Sequence, residues 1–559
     1  MSATTSRRDF IAGAIAGGMS LSAALAAATN KAYAEAPLHI NDAPEVWDIE
    51  TDVVVMGYGF AGEASAISAA AAGSQVQVFE KSPELYAGGN SHVCCGFIQL
   101  STGPGAVNYW RAIAWDGAPE EECQAMADNC ALMPQWFNDN VFEVEISENA
   151  PERQSKSFNG VTYEQANVIN MQIKTNYDKG EGYNKWHALH DVITERYADS
   201  ITVNYDSPVT HLIFDPQTKE VFGVRVEMDG VEKTVKARKG VIMACGGFEN
   251  NYDMVREFVR QHYEQFQIGS PYNTGDGILM LMEIGAKLRH MAAVEYGSAC
   301  QYDLSKQYHQ SCSVWDAGDL THMIYVNNHG KRFYNENVRW PAHDKRYPEP
   351  CFIQEAPSLE TANYPWWMVY DETRRGIKTI FNWSNPIEGQ GWIGIHGPDA
   401  GIHQWSDDNL EEVDMGIVLM ADTIEELGEK MGFEGEDLQN FIDTVNNYNE
   451  NGANGEDPEF GRTPTKAESA EDGVGMGITD GPFYATRVCL SYLNTNGGGD
   501  RTVEMQIKDW KGNPIPRLYE AGEFGSLFYH YYAGGGNVCE GFVNGMVAGQ
   551  AVSALEPWA

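Results

Sequence analysis

The feature that most constrains this chain is a glycine-rich turn between two short strands near its amino end. Residues 51–56 are rich in valine and predict a buried strand, and a G-x-G-x-x-G pattern at 57–62 follows at once. A run of Ala and Ser that reaches Ala72 predicts a helix, and a second strand at 75–79 ends at Glu80. Together these elements predict a parallel α/β sheet that binds a dinucleotide, with Glu80 accepting hydrogen bonds from a ribose.

Each glycine of the pattern has a distinct physical role. Gly57 permits the tight turn, Gly59 lets a pyrophosphate approach the backbone, and Gly62 lets the helix pack on the strand. Phe60 and Ala61 open the helix, whose N-terminus carries partial positive charge and backbone N–H groups that bind phosphate. We therefore predict that this turn holds the diphosphate of the dinucleotide.

The composition limits the classes of partner. The 559 residues include 79 Asp and Glu against 38 Lys and Arg, a formal net charge of −41, and 43% of them are apolar. A chain of this length builds two or more structural units, and its negative charge disfavours binding to nucleic acid or to anionic lipid. The ten cysteines contain no C-x-x-C pattern, so we predict chemistry on a small molecule without a metal site or a disulfide scaffold.

The amino end resembles a twin-arginine export signal. Residues 6–10 read SRRDF, residues 11–28 are weakly apolar, and a small-x-small site at 32–34 precedes Glu35. The alternative is a membrane anchor, but Gly and Ala contribute little to insertion into lipid. We expect the export machinery to carry the folded protein to the periplasm or cell surface, with residues 1–34 removed.

Further glycine-rich patches recur along the chain. They stand at 88–91, 240–248, 273–277, 518–523 and 534–537, and the last opens a predicted helix. Together with the first turn they resemble the FAD-binding pattern of the fumarate reductase and 3-ketosteroid dehydrogenase superfamily, over nearly the whole chain. Taken alone, the first of these patches is equally typical of an ordinary surface turn.

This resemblance implies FAD as the cofactor and an α/β fold, in which a Rossmann-like FAD-binding domain carries an inserted α+β capping domain. The implied FAD-binding domain has two parts, 48–284 and 491–559, and the cap is 285–490. Beyond the first turn and Glu80, the residues that it implies at the cofactor are Lys81, Gly88, Gly89, Asn90, Ser91, Val209, Ala244, Gly246, Gly247, Asp276, Glu523, Gly535, Asn537 and Val538.

The resemblance also implies a proton donor. In fumarate reductases an arginine a few residues beyond a G-x-R-F-x-N-E sequence supplies a proton to the substrate, and here that sequence occupies 330–336. Arg339 follows it, one position short of the family spacing, and Glu336 is a nearby acid through which a relay would run. The alternative is that Arg339 only pairs with Glu336 or with another acid.

Two departures from the fumarate reductase pattern disfavour a dicarboxylate substrate. Those enzymes clamp carboxylates with a histidine shortly before a Gly-Gly pair and with an arginine before the last glycine patch. Here residues 494–498 contain no histidine, and Ala533 stands where that arginine would be. Losing a charge-assisted, bidentate partner in a desolvated site weakens carboxylate binding.

A tyrosine suggests a different substrate group. In 3-ketosteroid dehydrogenases a tyrosine four residues before a glycine offers its hydroxyl, and that glycine its backbone N–H, to the substrate ketone. Tyr532 and Gly536 have this spacing, and His530 and Tyr531 are neighbouring candidates. Two donors aimed at a carbonyl oxygen stabilise the enolate that develops on hydride transfer. The alternative is that these aromatic side chains only pack in an interface.

We therefore predict an exported FAD-dependent oxidoreductase that acts on CH–CH bonds. It would reduce a C=C bond conjugated to a carbonyl in a largely neutral substrate, such as a steroid-like or aromatic enone, by hydride transfer from flavin N5. Since no nicotinamide pool exists outside the cytoplasm, we expect a membrane or haem-containing electron donor, as in anaerobic respiration.

Three other functions stay open at this stage. One is a carboxylate reductase of the fumarate or urocanate type that uses another cation, such as Arg346 or Arg487. Another is a 3-oxosteroid dehydrogenase that runs in the oxidative direction. The third is a flavin electron carrier without a substrate of its own, which a complete cap argues against, because a carrier has no substrate to enclose.

Overall fold

Two large β-sheets, one of eight strands and one of seven, organise the described part of the chain. The predicted export signal lies outside that part. The computed structural model describes residues 43–115, 117–148, 157–158, 160–259, 266–267, 269–300, 312–313, 322–336, 351, 353–354, 358, 360–377, 406–462, 476–529 and 532–558.

The elements below are numbered in chain order. The strands are β1 Ile49–Met56, β2 Val76–Phe79, β3 Ile98–Ser101, β4 Glu145–Glu148, β5 Ser157–Phe158, β6 Val161–Thr162, β7 Val168–Gln172, β8 Ile201–Asn204, β9 Val209–Phe214, β10 Val221–Met228, β11 Val231–Met243, β12 Phe266–Gln267, β13 Leu288–Arg289, β14 Val294–Cys300, β15 Cys312–Ser313, β16 Met323–Val326, β17 Trp366–Asp371, β18 Val418–Ala421, β19 Phe483–Thr495, β20 Gly498–Gly499, β21 Gln506–Lys508 and β22 Pro514–Glu520. The helices are α1 Phe60–Ala71, α2 Gly89–Val93, α3 Ala106–Ala114, α4 Glu120–Asn140, α5 Tyr163–Ala166, α6 Glu181–Arg196, α7 Tyr252–Phe258, α8 Asp276–Ile284, α9 Glu372–Ile377, α10 Leu410–Asp414, α11 Ile424–Lys430, α12 Gly435–Gly452 and α13 Gly536–Ser553.

The eight-stranded sheet confirms the predicted α/β, Rossmann-like fold class. Its order is β21-β22-β11-β1-β2-β8, and the contacts that β1 and β2 make with their neighbours are parallel. The valines at 53–55 are fully buried, as expected for a parallel strand covered on both faces. In this order β11 lies between β1 and β22, and it pairs with both in parallel. Strands from near the two ends of the described chain therefore belong to one sheet.

Helices α1 and α13 pack directly against each other beside this sheet. A Cβ added at Gly545 would lie 2.6 Å from the carbonyl oxygen of Ala61, and one at Gly549 would lie 2.5 Å from that of Ser65. Small residues on both helices permit this approach of the two backbones. The packing brings the N-terminus of α13 close to the first glycine turn.

The seven-stranded sheet draws its strands from residues 266–495, and helices α11 and α12 pack on it. β12 already pairs with β19 in this sheet, whereas β13 and β20, which flank β14 and β19 in the chain, form a separate two-stranded sheet with each other. The predicted cap boundary between 490 and 491 falls inside β19. Among the described helices, none combines the length and the apolar character that a membrane crossing requires.

Candidate active site

The first glycine turn has the geometry that its sequence predicts. Gly57 has φ +95°, and a Cβ there would overlap the carbonyl oxygen of Ala244. A Cβ at Gly62 would overlap the carbonyl oxygen of Gly57, because α1 packs tightly on the end of β1. Gly59 immediately precedes α1, so the backbone N–H groups at the start of this helix face the turn.

Glu80 is held facing this turn at the end of β2. Its Oε2 accepts a hydrogen bond of 3.0 Å from the backbone N–H of Tyr58, and its Oε1 accepts two of 2.9 Å from the N–H and hydroxyl of Ser82. The backbone N–H of Ser207 donates to the Glu80 carbonyl oxygen, which brings Val209, at the start of β9, into the same region. These contacts fix the Glu80 carboxylate where the sequence predicts the ribose.

The loop at 88–91 packs directly onto the first turn. Gly88 and Gly89 both have positive φ, +101° and +53°, and α2 begins at Gly89. The hydroxyl oxygen of Ser91 accepts a 2.9 Å hydrogen bond from the backbone N–H of Phe60 at the start of α1. The loop therefore contacts the first turn, which favours a place in the cofactor site over an ordinary surface turn.

Lys81 and Asp276 form an ion pair. The Nζ atom of Lys81 lies 2.6 Å from Oδ2 of Asp276 and 2.6 Å from the hydroxyl of Thr274. Asp276 is the first residue of α8, which follows the positive-φ Gly275. The pair links the end of β2 to the start of α8, beside Glu80.

A buried carboxylate that the sequence analysis missed organises the next part of the site. Glu249 is fully buried. Its Oε1 accepts hydrogen bonds from the side-chain amides of Asn90, at 2.8 Å, and Asn273, at 2.6 Å, and the Thr495 hydroxyl donates to its Oε2 at 3.4 Å. Burial raises the pKa of Glu249. The side chain connects three segments that are distant in sequence.

Glu523 lies close to Glu249. A Cβ added at Gly247 would overlap Oε2 of Glu249 and would lie 3.2 Å from Oε1 of Glu523. Burial, followed by the charge of Glu249, raises the pKa of Glu523 well above its usual value. Oε1 of Glu523 is buried and has no hydrogen-bond partner among the described atoms.

The start of α13 carries further buried polar atoms. Gly535 has φ +84° and precedes the helix, and the Gly536 N–H donates to the Ala533 carbonyl oxygen at 2.7 Å. The side-chain amide of Asn537 donates to Asn496 at 3.4 Å. Oδ1 of Asn537 and Nδ2 of Asn496 lack partners among the described residues, although both are buried. The half-buried Val538 packs against the core beneath.

Tyr532 lies at the same helix start and is 7% exposed. Its ring packs against Phe528 with centroids 5.0 Å apart. Burial, followed by the negative charge of Glu295, raises the pKa of Tyr532 well above its usual value, although a hydrogen bond from the backbone of Asn537 lowers it. The hydroxyl therefore keeps its proton. The Gly536 N–H is engaged within its own turn, so Tyr532 is the donor of the predicted pair that the geometry favours.

The proposed relay acid, Glu336, lies in a buried ion-pair network. It is fully buried, and its two oxygens accept hydrogen bonds from the Arg332 guanidinium at 3.1 and 2.7 Å and from the backbone N–H of Tyr325 at 3.0 Å. Arg332 also binds both oxygens of Asp457. Both of its oxygens are engaged in this network, which is the arrangement of a structural ion pair, and its role as a relay acid stays a prediction. Arg339, the predicted proton donor, lies outside the described residues.

The other candidates are placed only in part. His530, Tyr531 and Arg346 lie outside the described residues. The guanidinium of Arg487 lies over the Trp367 ring, 5.0 Å from its centroid, on the second sheet. Arg487 is eight positions along β19 from Thr495, roughly 26 Å at the rise of an extended strand, so the structure does not bring it to the site.

Comparison with known proteins identifies the family. A family model described as an FAD binding domain matches residues 52–538. The chain belongs to this FAD-binding family. Digoxin reductase of Eggerthella lenta is 28% identical over alignments covering 99% of this chain and 97% of that protein. Vinyl phenol reductase of Lactiplantibacillus plantarum is 24% identical, with 84% of this chain and 89% of that protein covered.

Two solved structures share the fold. The 3-ketosteroid delta1-dehydrogenase of Sterolibacterium denitrificans, in complex with 1,4-androstadiene-3,17-dione, superposes with a TM-score of 0.72 at 20% identity, covering 90% of this chain and 99% of that one. The open conformation of a flavocytochrome c3 fumarate reductase superposes with a TM-score of 0.62 at 20% identity, covering 94% and 80%.

The described residues fit FAD. Gly59 and the loop at 88–91 leave backbone N–H groups at the start of α1 for the diphosphate, and Glu80 faces the ribose position. The buried Oε1 of Glu523 offers an acceptor for a hydroxyl, as the ribityl chain supplies, and Asn537 offers an acceptor for a ring N–H. The protein is an FAD-dependent oxidoreductase.

Proposed function

We propose that the protein is an exported reductase that adds hydride to a C=C bond conjugated with a carbonyl group in a largely uncharged molecule. A steroid-like or an aromatic enone has this chemistry. The observation that carries the proposal is the buried Tyr532, which keeps its proton at the start of α13. The relatives named for reduction of digoxin and of vinyl phenols support the reductive direction.

FAD supplies the hydride from its N5 atom when it is bound. The chain holds the substrate so that the Tyr532 hydroxyl donates to the carbonyl oxygen, where negative charge develops as hydride reaches the β-carbon. The partial positive charge at the N-terminus of α13 acts in the same direction. A proton then joins the α-carbon, which completes the reduction and restores the carbonyl. Arg339 remains the predicted donor of this proton.

A neutral substrate is supported by the charges that surround Tyr532. Glu295 lies on β14 and is 4% exposed, and its charge acts on both Tyr532 and Glu523. A substrate carboxylate placed beside these groups would meet negative charge in a region of low dielectric. Ala533 stands where a carboxylate-binding arginine would be, so the described part of the site favours a ketone over an acid.

The direct test is the reaction of the reduced flavin. Anaerobically reduced protein is mixed with a steroidal or aromatic enone, with fumarate, or with urocanate, and the return of the flavin absorption band is followed. We expect reoxidation by neutral enones and none by the two acids. Reoxidation by the acids alone would establish the carboxylate reductase. A rate that no organic acceptor changes would establish the electron carrier.

The oxidative direction is a second candidate, which the spacing of Tyr532 and Gly536 favours. A 3-oxosteroid 1-dehydrogenase of Mycolicibacterium smegmatis is 27% identical over 58% of this chain and 54% of that protein. Mixing the oxidised protein with a saturated 3-oxosteroid separates the two directions. Bleaching of the flavin that is faster than reoxidation by the corresponding enone would favour dehydrogenation.

Export and the electron donor belong to the same proposal. The SRRDF sequence at 6–10 supports the twin-arginine route, and a protein outside the cytoplasm would take electrons from a membrane or haem-containing partner. Replacing both Arg7 and Arg8 by Lys should retain the flavoprotein in the cytoplasm. Cell fractionation followed by flavin fluorescence measures this, and unchanged secretion would contradict the proposed route.

A further inference from the structure

His290 directly follows β13, where the chain crosses from the parallel sheet to the second sheet. Its Nδ1 lies 2.6 Å from the carbonyl oxygen of Ser526, and its Nε2 lies 2.9 Å from the carbonyl oxygen of Gly117. A carbonyl oxygen only accepts hydrogen bonds, and a neutral imidazole has a single N–H. Both contacts are satisfied only when both ring nitrogens carry protons. The geometry therefore requires the positively charged imidazolium.

Two further observations indicate that this arrangement is built into the fold. The backbone of His290 has φ +54°, in the left-handed region that a residue with a side chain seldom adopts. Its ring also stacks on the Tyr529 ring, with centroids 4.8 Å apart and an angle of 27° between the planes. An aromatic face stabilises a nearby cation, so the stacking favours the same protonation state.

Arg289, the residue before His290, contacts the same segment of the chain. Nε and Nη2 of Arg289 donate to the carbonyl oxygen of Gly525 at 2.9 and 2.6 Å. Arg289 and His290 lie in the crossing, the segment 287–290 between the two large sheets. These two consecutive residues thus hold two consecutive carbonyl groups, at Gly525 and Ser526. The Arg289 guanidinium is always charged, whereas an imidazole is the side chain whose unperturbed charge changes near neutral pH.

The segment that these residues hold, 525–529, packs on Tyr532 through the Phe528 ring, with centroids 5.0 Å apart. On its other side it is tied to α13, because the Ser526 hydroxyl and the Leu527 N–H both donate to Glu540, at 2.5 and 2.8 Å. The segment is therefore fixed between the crossing and the helix whose start carries the site. A change in its contacts with His290 would move Tyr532 relative to α13.

The described charged groups around the crossing largely pair with one another. Arg289 lies 2.5 Å from Glu122 on α4, and Asp500 lies 2.7 Å from Lys287 and 3.2 Å from Lys508. The phenol of Tyr529 is the titratable group on the facing segment. The two carbonyl oxygens that His290 contacts favour its protonated form.

We propose that His290 is a positioning residue, which as an imidazolium fastens the segment 525–529 and thereby places Tyr532 against the substrate carbonyl. This rests on the proposed function of Tyr532. When the pH rises and the ring loses one proton, one carbonyl group is left facing a lone pair. The segment then loosens, and the reduction slows although Tyr532 and the cofactor site are unchanged.

Two variants and one control test the proposal. His290→Arg keeps a planar cation with several N–H donors at every working pH, so it should remove the alkaline loss of activity. His290→Gln supplies one amide donor and one carbonyl, so it should reduce the rate about 10-fold at every pH, the cost of one buried carbonyl group without a donor. His329→Gln changes a half-exposed histidine that pairs with Asp437 and should behave as the unchanged protein.

Two measurements are made on the holoprotein over a range of pH. The first is the rate at which a neutral enone reoxidises the reduced flavin. The second is hydrogen–deuterium exchange of the peptide that spans 525–529, corrected for the intrinsic pH dependence of exchange, which needs no substrate. We expect the unchanged protein to lose rate and protection together as the pH rises, and His290→Arg to keep both.

An unchanged pH dependence of exchange in His290→Gln would overturn the inference, as would full protection of the peptide in the unchanged protein at high pH. If His290→Arg does not fold, the other two proteins still decide the matter. A third outcome separates the two proposals. If no enone reoxidises the flavin, but the exchange protection of the peptide 525–529 depends on pH and on His290 as expected, the proposed function fails. The role of His290 in holding this segment is then still supported.

Discussion

Tyr532 and Glu336 show how single residues with similar sequence support can have different surroundings in the fold. Both lie in motifs that resemble those of related enzymes, and both are buried. Tyr532 lies at the start of α13 with its proton retained. The Glu336 carboxylate is occupied by Arg332 and by a backbone N–H. Only the hydrogen-bond partners, which depend on distant segments, separate the two cases.

Replacing Tyr532 by Phe should slow hydride transfer to a neutral enone about 100-fold, because the carbonyl oxygen loses a hydrogen-bond donor in a buried site. Binding of FAD should be unaffected. Stopped-flow reoxidation of the reduced protein measures the rate. Tyr370→Phe, at a buried tyrosine of the second sheet, serves as the control, and an equal loss in the two variants would remove Tyr532 from the mechanism.

The Glu249 carboxylate holds the loop at 88–91 in place. Replacing it by Ala leaves the side-chain amides of Asn90 and Asn273 without their acceptor, so the loop at 88–91 should lose its fixed position. We expect FAD to bind about 10-fold more weakly, the equivalent of one lost hydrogen bond to a charged group. Fluorescence of released FAD measures the affinity. Glu249→Gln, which keeps one acceptor, should have the smaller effect, and equal affinities in all three proteins would contradict this role.

The sequence identifies only part of these residues, and the reason is physical. The roles of Gly57, Gly62 and Glu80 follow from a short stretch of chain, so local spacing predicts them. Glu249 acts through residues from three separate segments, and no local pattern predicts that these segments meet. Its one available signal is an acid placed two positions after the Gly-Gly pair that follows a strand.

Helices and strands also differ in whether neighbouring residues or distant segments determine their bounds. The β1-α1-β2 unit was predicted within a few residues of its observed bounds, because valine-rich strands and a glycine turn specify it locally. The extent of β19 was not predicted. It runs for 13 residues through the expected boundary at 490 because it pairs with β14, β17 and β18 along its length.

The packing of α13 on α1 can be tested at Gly545. An added methyl group would lie 2.6 Å from the carbonyl oxygen of Ala61, so Gly545→Ala must separate the two helices. We expect a loss of about 1–3 kcal/mol in the free energy of unfolding, measured by urea denaturation of the holoprotein. Gly376→Ala, where a Cβ meets nothing within 4 Å, should be neutral or slightly stabilising. Equal stability of the two variants would contradict the close packing.

At the scale of the whole molecule, buried ion pairs join segments from all parts of the chain. Arg501 binds Glu520 at the end of β22 and Glu540 on α13, and it donates to the carbonyl oxygen of Gly525. Arg289 reaches the same carbonyl oxygen from the crossing. The network therefore connects the parallel sheet, the crossing and the active-site helix.

This network makes stability depend on pH through Glu520. Burial raises the pKa of Glu520 from 4.5 to about 7, because the cost of burying the charged carboxylate outweighs the attraction of Arg501. Between these two values the folded protein binds the proton more tightly than the unfolded chain, so this residue's contribution to stability falls as the pH rises from 4.5 to 7. Urea denaturation of Glu520→Gln and the unchanged protein should show a steeper fall in the unchanged protein. Parallel curves would contradict the assignment.

The central claim is that segments from both ends of the chain together form a site for FAD. The most direct measurement is the absorption spectrum of the freshly purified, folded protein, with the FAD content determined after denaturation. We expect flavin bands and one FAD for each chain, bound at purification or on adding FAD. A folded protein that is colourless and takes up no FAD would contradict it.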